Sequence, residues 1–390
     1  MNHTKLLNSD GNSMLLQNIQ MVDLNSQYKK IKTQVDAAMQ EVIDSSAFIN
    51  GKAVKTFEHT LATYLQSKYV VACANGTDAL QIALMALELQ PDDEVIVPAF
   101  TYVATAEVVA LLGLKLVMVD VEKDSFNISV SSIEKAITSK TKVIVPVHLF
   151  GQSADMEAIM SLAKKHNLWV IEDNAQSLGA EYTFSDSKTY KTGTIGHIGC
   201  TSFFPSKNLG CFGDGGALCT NDEILAEKLK MIANHGQKVK YHHSIIGCNS
   251  RLDALQAAIL NVKIKYLDEY LQARRDTALF YDDALKNSHL FDLPARSKDT
   301  KHTFNQYTIK VKDGKRGALQ KFLSENSIPS MIYYPIPLYK QDAFKKYVTC
   351  NFELNNTELL CNSVLSIPIH TEMNYEILNY IVETLKKFNG

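Results

Sequence analysis

Residues 69–89, YVVACANGTDALQIALMALEL, pass from a short run apolar on both faces, through a turn of Asn75, Gly76, Thr77 and Asp78, into a helical apolar pattern. The same alternation continues: EVIVPAF (94–100), TAEVVALLG (105–113), KLVMVDV (115–121), KVIVPVHLF (142–150), MEAIMSLAKKH (156–166) and LWVIED (168–173). A strand that is apolar on both faces is covered on both faces, so the repeat predicts a mostly parallel sheet with helices on either side, an α/β fold. Polar punctuation falls at the strand ends, NGTD after the first and EDNAQ (172–176) after the fifth. Open α/β sheets bind ligands at that edge.

The C-terminal part reads differently. After GGALCT (215–220) comes a helix, DEILAEKLKMIANHG (222–236). It is followed by residues 251–286, a helical pattern long enough to bend and to carry the chain out of the large domain. A strand at TFNQYTIKVK (303–312), a helix around GALQKFLSE (317–325), the loop YYPIPLYKQ (333–341) and an amphipathic helix at 374–388 describe a smaller α+β domain. The expected division is an extension over residues 1–18, a large domain over 19–265, whose N-terminal helix contributes to the small domain, and a small domain over 266–390.

With 46% hydrophobic and 21% charged residues in 390, disorder is excluded as the main state and one large core plus a smaller one is expected. Forty basic against 42 acidic residues give no field that would steer nucleic acid or an anionic membrane to the chain. No run of about 20 apolar residues is present to span a bilayer, and the N-terminus lacks a signal-peptide pattern. Seven cysteines, odd in number and without a CxxC pair, argue against a disulfide framework and a structural zinc site, so no metal is expected and the cytoplasm is the expected setting.

The stretch TSFFPSKNLGCFGDGGALCT (201–220) places one lysine, Lys207, among glycines, small residues and apolar side chains. Burial disfavours the ammonium and makes the amine a nucleophile, the requirement for Schiff-base chemistry. Pyridoxal phosphate further needs an acid near its ring nitrogen, donors for its phosphate and a plane to stack on the ring, and each has a candidate. Asp173 could pair with the ring nitrogen and Gln176 could donate to the phenolic oxygen. Gly76 and Thr77, at a helix N-terminus, and Ser202 could hold the phosphate, with Tyr102 as a stacking plane. Each residue alone also suits an ordinary turn, cap or packing role, and it is their conjunction in one α/β order that points to the cofactor. FPSKNLG has no GxxxxGK[ST] pattern, and no GxGxxG follows the first strand, which argues against P-loop and Rossmann readings.

With FINGKAVKTFE (48–58), VIEDNAQSLGA (170–180), TSFFPSKNLGCFGDGGAL (201–218) and NSRLDALQAAIL (249–260), the chain resembles the DegT/DnrJ/EryC1/StrS sugar aminotransferases from about residue 20 to its end. The resemblance implies the aspartate-aminotransferase-like type I pyridoxal phosphate fold, with a mostly parallel seven-stranded sheet. It implies that Lys207 bonds the cofactor and moves the proton, with Asp173 on the ring nitrogen, Gln176 on the phenolic oxygen and Gly76, Thr77 and Ser202 on the phosphate. Asn249 would reach the cofactor phosphate of the neighbouring subunit in a homodimer with shared active sites. L-Glutamate is the implied donor and a nucleotide-linked keto sugar the acceptor. The look is nearest to the branch that aminates UDP-2-acetamido-2-deoxy-3-oxo-glucuronate, with dTDP-3-keto-6-deoxyhexoses and UDP-4-keto-6-deoxy sugars as alternatives. A dehydratase on the same cofactor and a non-catalytic regulator are the rival classes; retention of Lys207 argues against the first, and the presence of both Lys207 and Asp173 argues against the second. His235, Tyr241, His242 and His243 form either a grip for the nucleotide diphosphate or sugar carboxylate or an exposed basic loop, and Tyr334 and Tyr339 are further substrate candidates. Asn174 and Tyr339 depart from the family's usual small residue and histidine.

Overall fold

In the strand Glu94–Pro98, Val95 and Val97 face one apolar cluster and Ile96 faces another, which is how a strand between two helical layers must divide its side chains. A computed structural model describes residues 19–347 and 353–389, with two short paired strands, Lys5–Leu7 and Ser13–Leu15; the expected extension over residues 1–18 otherwise lies outside the described residues. The central sheet is built from β1 (Tyr69–Cys73), β2 (Glu94–Pro98), β3 (Lys115–Val119), β4 (Thr141–Ile144), β5 (Trp169–Asp173), β6 (Ile198–Ser202) and β7 (Gly216–Thr220). Their spatial order is β1-β7-β6-β5-β4-β2-β3, and only β7 runs against its neighbours. This is the predicted mostly parallel seven-stranded sheet.

Two glycines allow the sheet edge to close. A Cβ on Gly76 would stand 2.6 Å from the Ser202 Cβ, and one on Gly216 would stand 2.4 Å from the Asn75 carbonyl. The helix Gly76–Ala86 begins there, capped by Asn75, whose side chain accepts from the Asp78 N–H at 2.8 Å.

The long helical pattern is broken, as expected, into Ala254–Lys263, a tight turn at Ile264–Tyr266, and Leu267–Leu285. The expected boundary at 265/266 falls in that turn, but the apolar contacts change core later. Leu267 and Leu271 belong to the large core, whereas Ala278, Tyr281 and Leu285 belong to the small one. The small core packs a three-stranded antiparallel sheet, β8 (Phe291–Asp292), β9 (Tyr307–Val311) and β10 (Val364–Ile367), against the helices Arg316–Glu325 and Tyr375–Lys387. Buried Arg274 ties the crossing helix to the loop before β9, donating to the carbonyls of Phe304 and Asn305 at 3.3 Å and of Ile369 at 3.0 Å.

The N-terminal helix, Leu24–Ser45, touches both domains. Its buried Ile31 and Val35 pack on Ile259 and Val262 of the large domain, and only its first turns reach the small domain, through Gln27 to Thr371 and Lys30 to Glu372. An apolar stripe records that a helix is covered, not by what. No described helix is long and apolar enough to cross a membrane.

Candidate active site

Because the strands run parallel, the segments that follow β1, β2, β5 and β6 leave the sheet at one edge. They enclose a cavity of about 650 Å³. Gly76, Thr77, Tyr102, Asp173, Gln176, Ser202, Lys207 and Tyr334 all line it, and Asn305, Gln306 and Tyr333 are among the other wall residues. Residues far apart in the chain, from four strand ends and the small domain, are thus brought together by topology alone.

Lys207 lies on the turn closed by its own N–H on the Phe204 carbonyl at 2.8 Å. Burial lowers its pKa to about 8, against the opposing pull of the Asp173 charge. An amine poised near neutrality exchanges protons in both directions, as an acid–base catalyst must. Asp173 is the last residue of β5 and is buried. Its Oδ2 accepts from the Thr105 hydroxyl at 2.8 Å and its Oδ1 from the Ala175 N–H at 3.1 Å. Burial raises its pKa, resisted by those two donors and by Lys207.

Gln176 is oriented by the backbone. Its Oε1 accepts from the Phe150 N–H at 2.7 Å, so its Nε2 faces the cavity and donates to the Tyr334 hydroxyl at 3.1 Å, leaving a second N–H that no described residue takes. Phe150 holds a left-handed φ of 56° in the loop that presents that N–H. Tyr334 stands edge-on to Phe100 at 6.0 Å and tilted to Tyr102 at 6.2 Å, and burial keeps its phenol protonated. Tyr102 is 56% exposed, its ring open to the cavity.

A family profile described as the DegT/DnrJ/EryC1/StrS aminotransferase family matches residues 29–386. The chain belongs to this family. It is 44% identical over 374 residues to a Geobacillus stearothermophilus protein named pleiotropic regulatory protein, covering 95% of this chain and 98% of that one. It is 42% identical over 367 residues to the UDP-2-acetamido-2-deoxy-3-oxo-D-glucuronate aminotransferase of Pseudomonas aeruginosa, covering 94% of this chain and 99% of the relative. The crystal structure of a DegT/DnrJ/EryC1/StrS aminotransferase from Brucella abortus superposes with a TM-score of 0.91 at 39% identity, over 95% of this chain and 100% of that one. As a DegT/DnrJ/EryC1/StrS aminotransferase the chain takes pyridoxal phosphate. The cavity fits that group: an acid, a near-neutral amine, an exposed aromatic face, and a capped helix start held against the Ser202 side chain by a glycine.

Other candidates of the DegT/DnrJ/EryC1/StrS reading do not reach the cavity. His235 precedes, and Tyr241, His242 and His243 occupy, an exposed hairpin of Gln237–Val239 and His242–His243, where the His243 Nδ1 donates to the His235 carbonyl at 2.7 Å. The hairpin is too short and polar to present an apolar face to the core, so it stands in solvent. Asn249 is also exposed and outside the wall. Tyr339 points away, bonding the Glu358 carboxylate and packing on the large core. Asn174 is turned behind the sheet, where it bonds Ser177 and Thr201. It does not line the cavity, as side chains adjacent on extended chain alternate.

Sequence reasoning missed two groups. One is Thr105, a hydroxyl in the first turn of the helix that follows β2. The other is Glu172, a buried carboxylate that accepts from the Gly193, Ile195 and Gly196 N–H groups at 2.6–2.8 Å and from the His148 Nε2 at 2.8 Å. The His148 Nδ1 accepts from the Ala154 N–H at 3.1 Å, which leaves the ring proton on Nε2. The acid doublet at a strand end was the available signal, and only one of its members faces the ligand side.

Proposed function

We propose that the chain moves the amino group of L-glutamate to the keto carbon of a nucleotide-linked sugar, with UDP-2-acetamido-2-deoxy-3-oxo-glucuronate the first acceptor to test, in the making of a surface polysaccharide or glycan. The observation that carries this reading is that Lys207, with its pKa lowered to about 8, and Asp173 face one cavity. The 42% identity to the P. aeruginosa glucuronate aminotransferase supports the choice of acceptor. The bound cofactor supplies an electron sink and carries the amine between the two half-reactions. Lys207 bonds it and holds or gives the proton at Nζ in each half. Asp173 keeps the ring nitrogen protonated, and Gln176 donates from its free Nε2–H to the phenolic oxygen. Tyr102 covers one ring face. Gly76, Thr77 and Ser202 bind the phosphate through backbone and hydroxyl donors. Glutamate leaves as 2-oxoglutarate, and the keto sugar leaves as the amine.

The working unit is a homodimer in which Asn249 of each copy reaches the phosphate bound by the other. Tyr102 and Phe204, on the cavity wall, are 56% and 53% exposed in the single chain, which supports a second copy covering them. The hairpin of Tyr241, His242 and His243 is proposed to meet substrate by the same route. Six free cysteines among the described residues support a reducing, cytoplasmic setting. A purely regulatory role, suggested by the name of the G. stearothermophilus relative, has no need of a desolvated lysine facing a buried acid.

Purified protein supplied with pyridoxal phosphate should show an absorbance band near the visible edge that shifts on adding glutamate, and Lys207→Ala should lack it. A protein that stays colourless refutes aminotransfer. A panel of nucleotide-linked 3-keto and 4-keto sugars, read by product mass, tests the acceptor. Amination of only dTDP-3-keto or UDP-4-keto sugars would correct the acceptor and leave the reaction standing.

A further inference from the structure

A buried carboxylate must be given hydrogen-bond donors or it takes up a proton and loses its charge. Asp173 has two donors, and they differ in kind. The Ala175 N–H on Oδ1 is backbone, two residues on, and any side chain at position 175 except proline would leave it in place. The Thr105 hydroxyl on Oδ2, at 2.8 Å, is the one side chain among the described residues that hydrogen-bonds this acid. Thr105 is 1% exposed, so no water replaces it.

The direction of the proton follows from the inventory of donors. A carboxylate only accepts, so the single hydroxyl proton of Thr105 goes to Asp173. Thr101, whose Oγ1 lies 3.4 Å from that of Thr105, then has only the donor role toward it, which orders the chain Thr101 to Thr105 to Asp173. Thr101 and Tyr102 line the cavity. The segment after β2 therefore carries both the exposed aromatic ring and the group that orients the acid, so that ring and acid keep one spacing.

We propose that Thr105 is a positioning residue that holds Asp173 ionised and turned toward the cavity, so that the acid's remaining acceptor capacity goes to the protonated ring nitrogen of the cofactor. This rests on the aminotransferase reading above. The bland alternative is that Thr105 merely fills space in a helix, in which case an isosteric apolar side chain would serve equally.

The test uses the holoenzyme loaded with pyridoxal phosphate labelled with nitrogen-15 in the ring. In Thr105→Val the ring-nitrogen resonance should move toward the neutral-pyridine position, and the cofactor dissociation constant should rise by about tenfold, as for loss of a charge-assisted hydrogen bond. Thr105→Ser, which restores the hydroxyl, should return both to wild-type values. Wild-type resonance position and affinity in Thr105→Val would overturn the inference. If that variant does not fold, Thr105→Ala must show the same displacement; failure of both to fold, with Thr105→Ser folded, assigns the residue a structural role and overturns the inference too. A wild type that never forms the visible-edge band refutes the aminotransferase reading, whereas a wild type with the band and an indistinguishable Thr105→Val refutes this inference alone.

Discussion

A lysine among glycines and apolar residues is costly to the fold, and Lys207 shows the cost in its acid–base behaviour. Its ammonium has a pKa of about 8 in the folded chain against 10.5 ordinarily, because burial outweighs the attraction of Asp173. Between those values the unfolded chain binds more protons than the folded one, so the stability of the cofactor-free protein rises with pH from about 8 to about 10.5, and below 8 the penalty is fully present. Lys207→Met removes it. The cofactor-free variant should be more stable than wild type at pH 7 by up to roughly 3 kcal/mol, and the gap should close as pH rises through that window. Urea unfolding of both proteins at pH 7 and pH 10 measures this, and an equal gap at both values would contradict it. The oddity of Lys207 is visible in sequence because an ammonium in apolar company is rare. The histidine and lysine cluster after residue 235 is as conspicuous and yet stands outside the cavity of its own chain, since proximity along the chain says nothing of what a loop faces.

The helix Gly76–Ala86 shows how one element serves as both scaffold and site. Its turn chemistry could be read from residues 75–78, where Asn75 caps the helix and Gly76 permits close approach. What it approaches could not be read: the neighbour is Ser202, more than a hundred residues on, placed there by β7 pairing with both β1 and β6. Gly76→Val puts branched carbon where a Cβ alone would already lie 2.6 Å from that of Ser202. Overpacking of this kind costs about 1–3 kcal/mol, which should push the helix start from Ser202 and raise the cofactor dissociation constant by about tenfold or more. Far-UV circular dichroism should stay native. Unchanged cofactor affinity in a folded variant would show that the helix start does not hold the phosphate.

At the scale of the molecule, the cavity wall is shared between two cores, and Arg274 on the crossing helix pins the carbonyl of Asn305, a wall residue, while its Nε finds no partner among the described residues. If the second copy completes the site, Asn249→Ala should weaken cofactor retention by about tenfold, the loss expected for one charge-assisted hydrogen bond, without altering the dimer. Analytical ultracentrifugation with a cofactor release assay decides it: a monomer that retains cofactor and full activity sinks the shared site. The alternation of apolar runs with helical patterns disclosed the sheet and its covered faces, because burial on both sides leaves a local, periodic mark in the chain. Lys207, Asp173 and the 75–78 turn were legible for a like reason, as each breaks its neighbourhood's pattern. Thr105 on Asp173 and the Glu172–His148 pair were not. Each depends on which distant surfaces meet, and that is set by strand order and packing, which no short window of residues records.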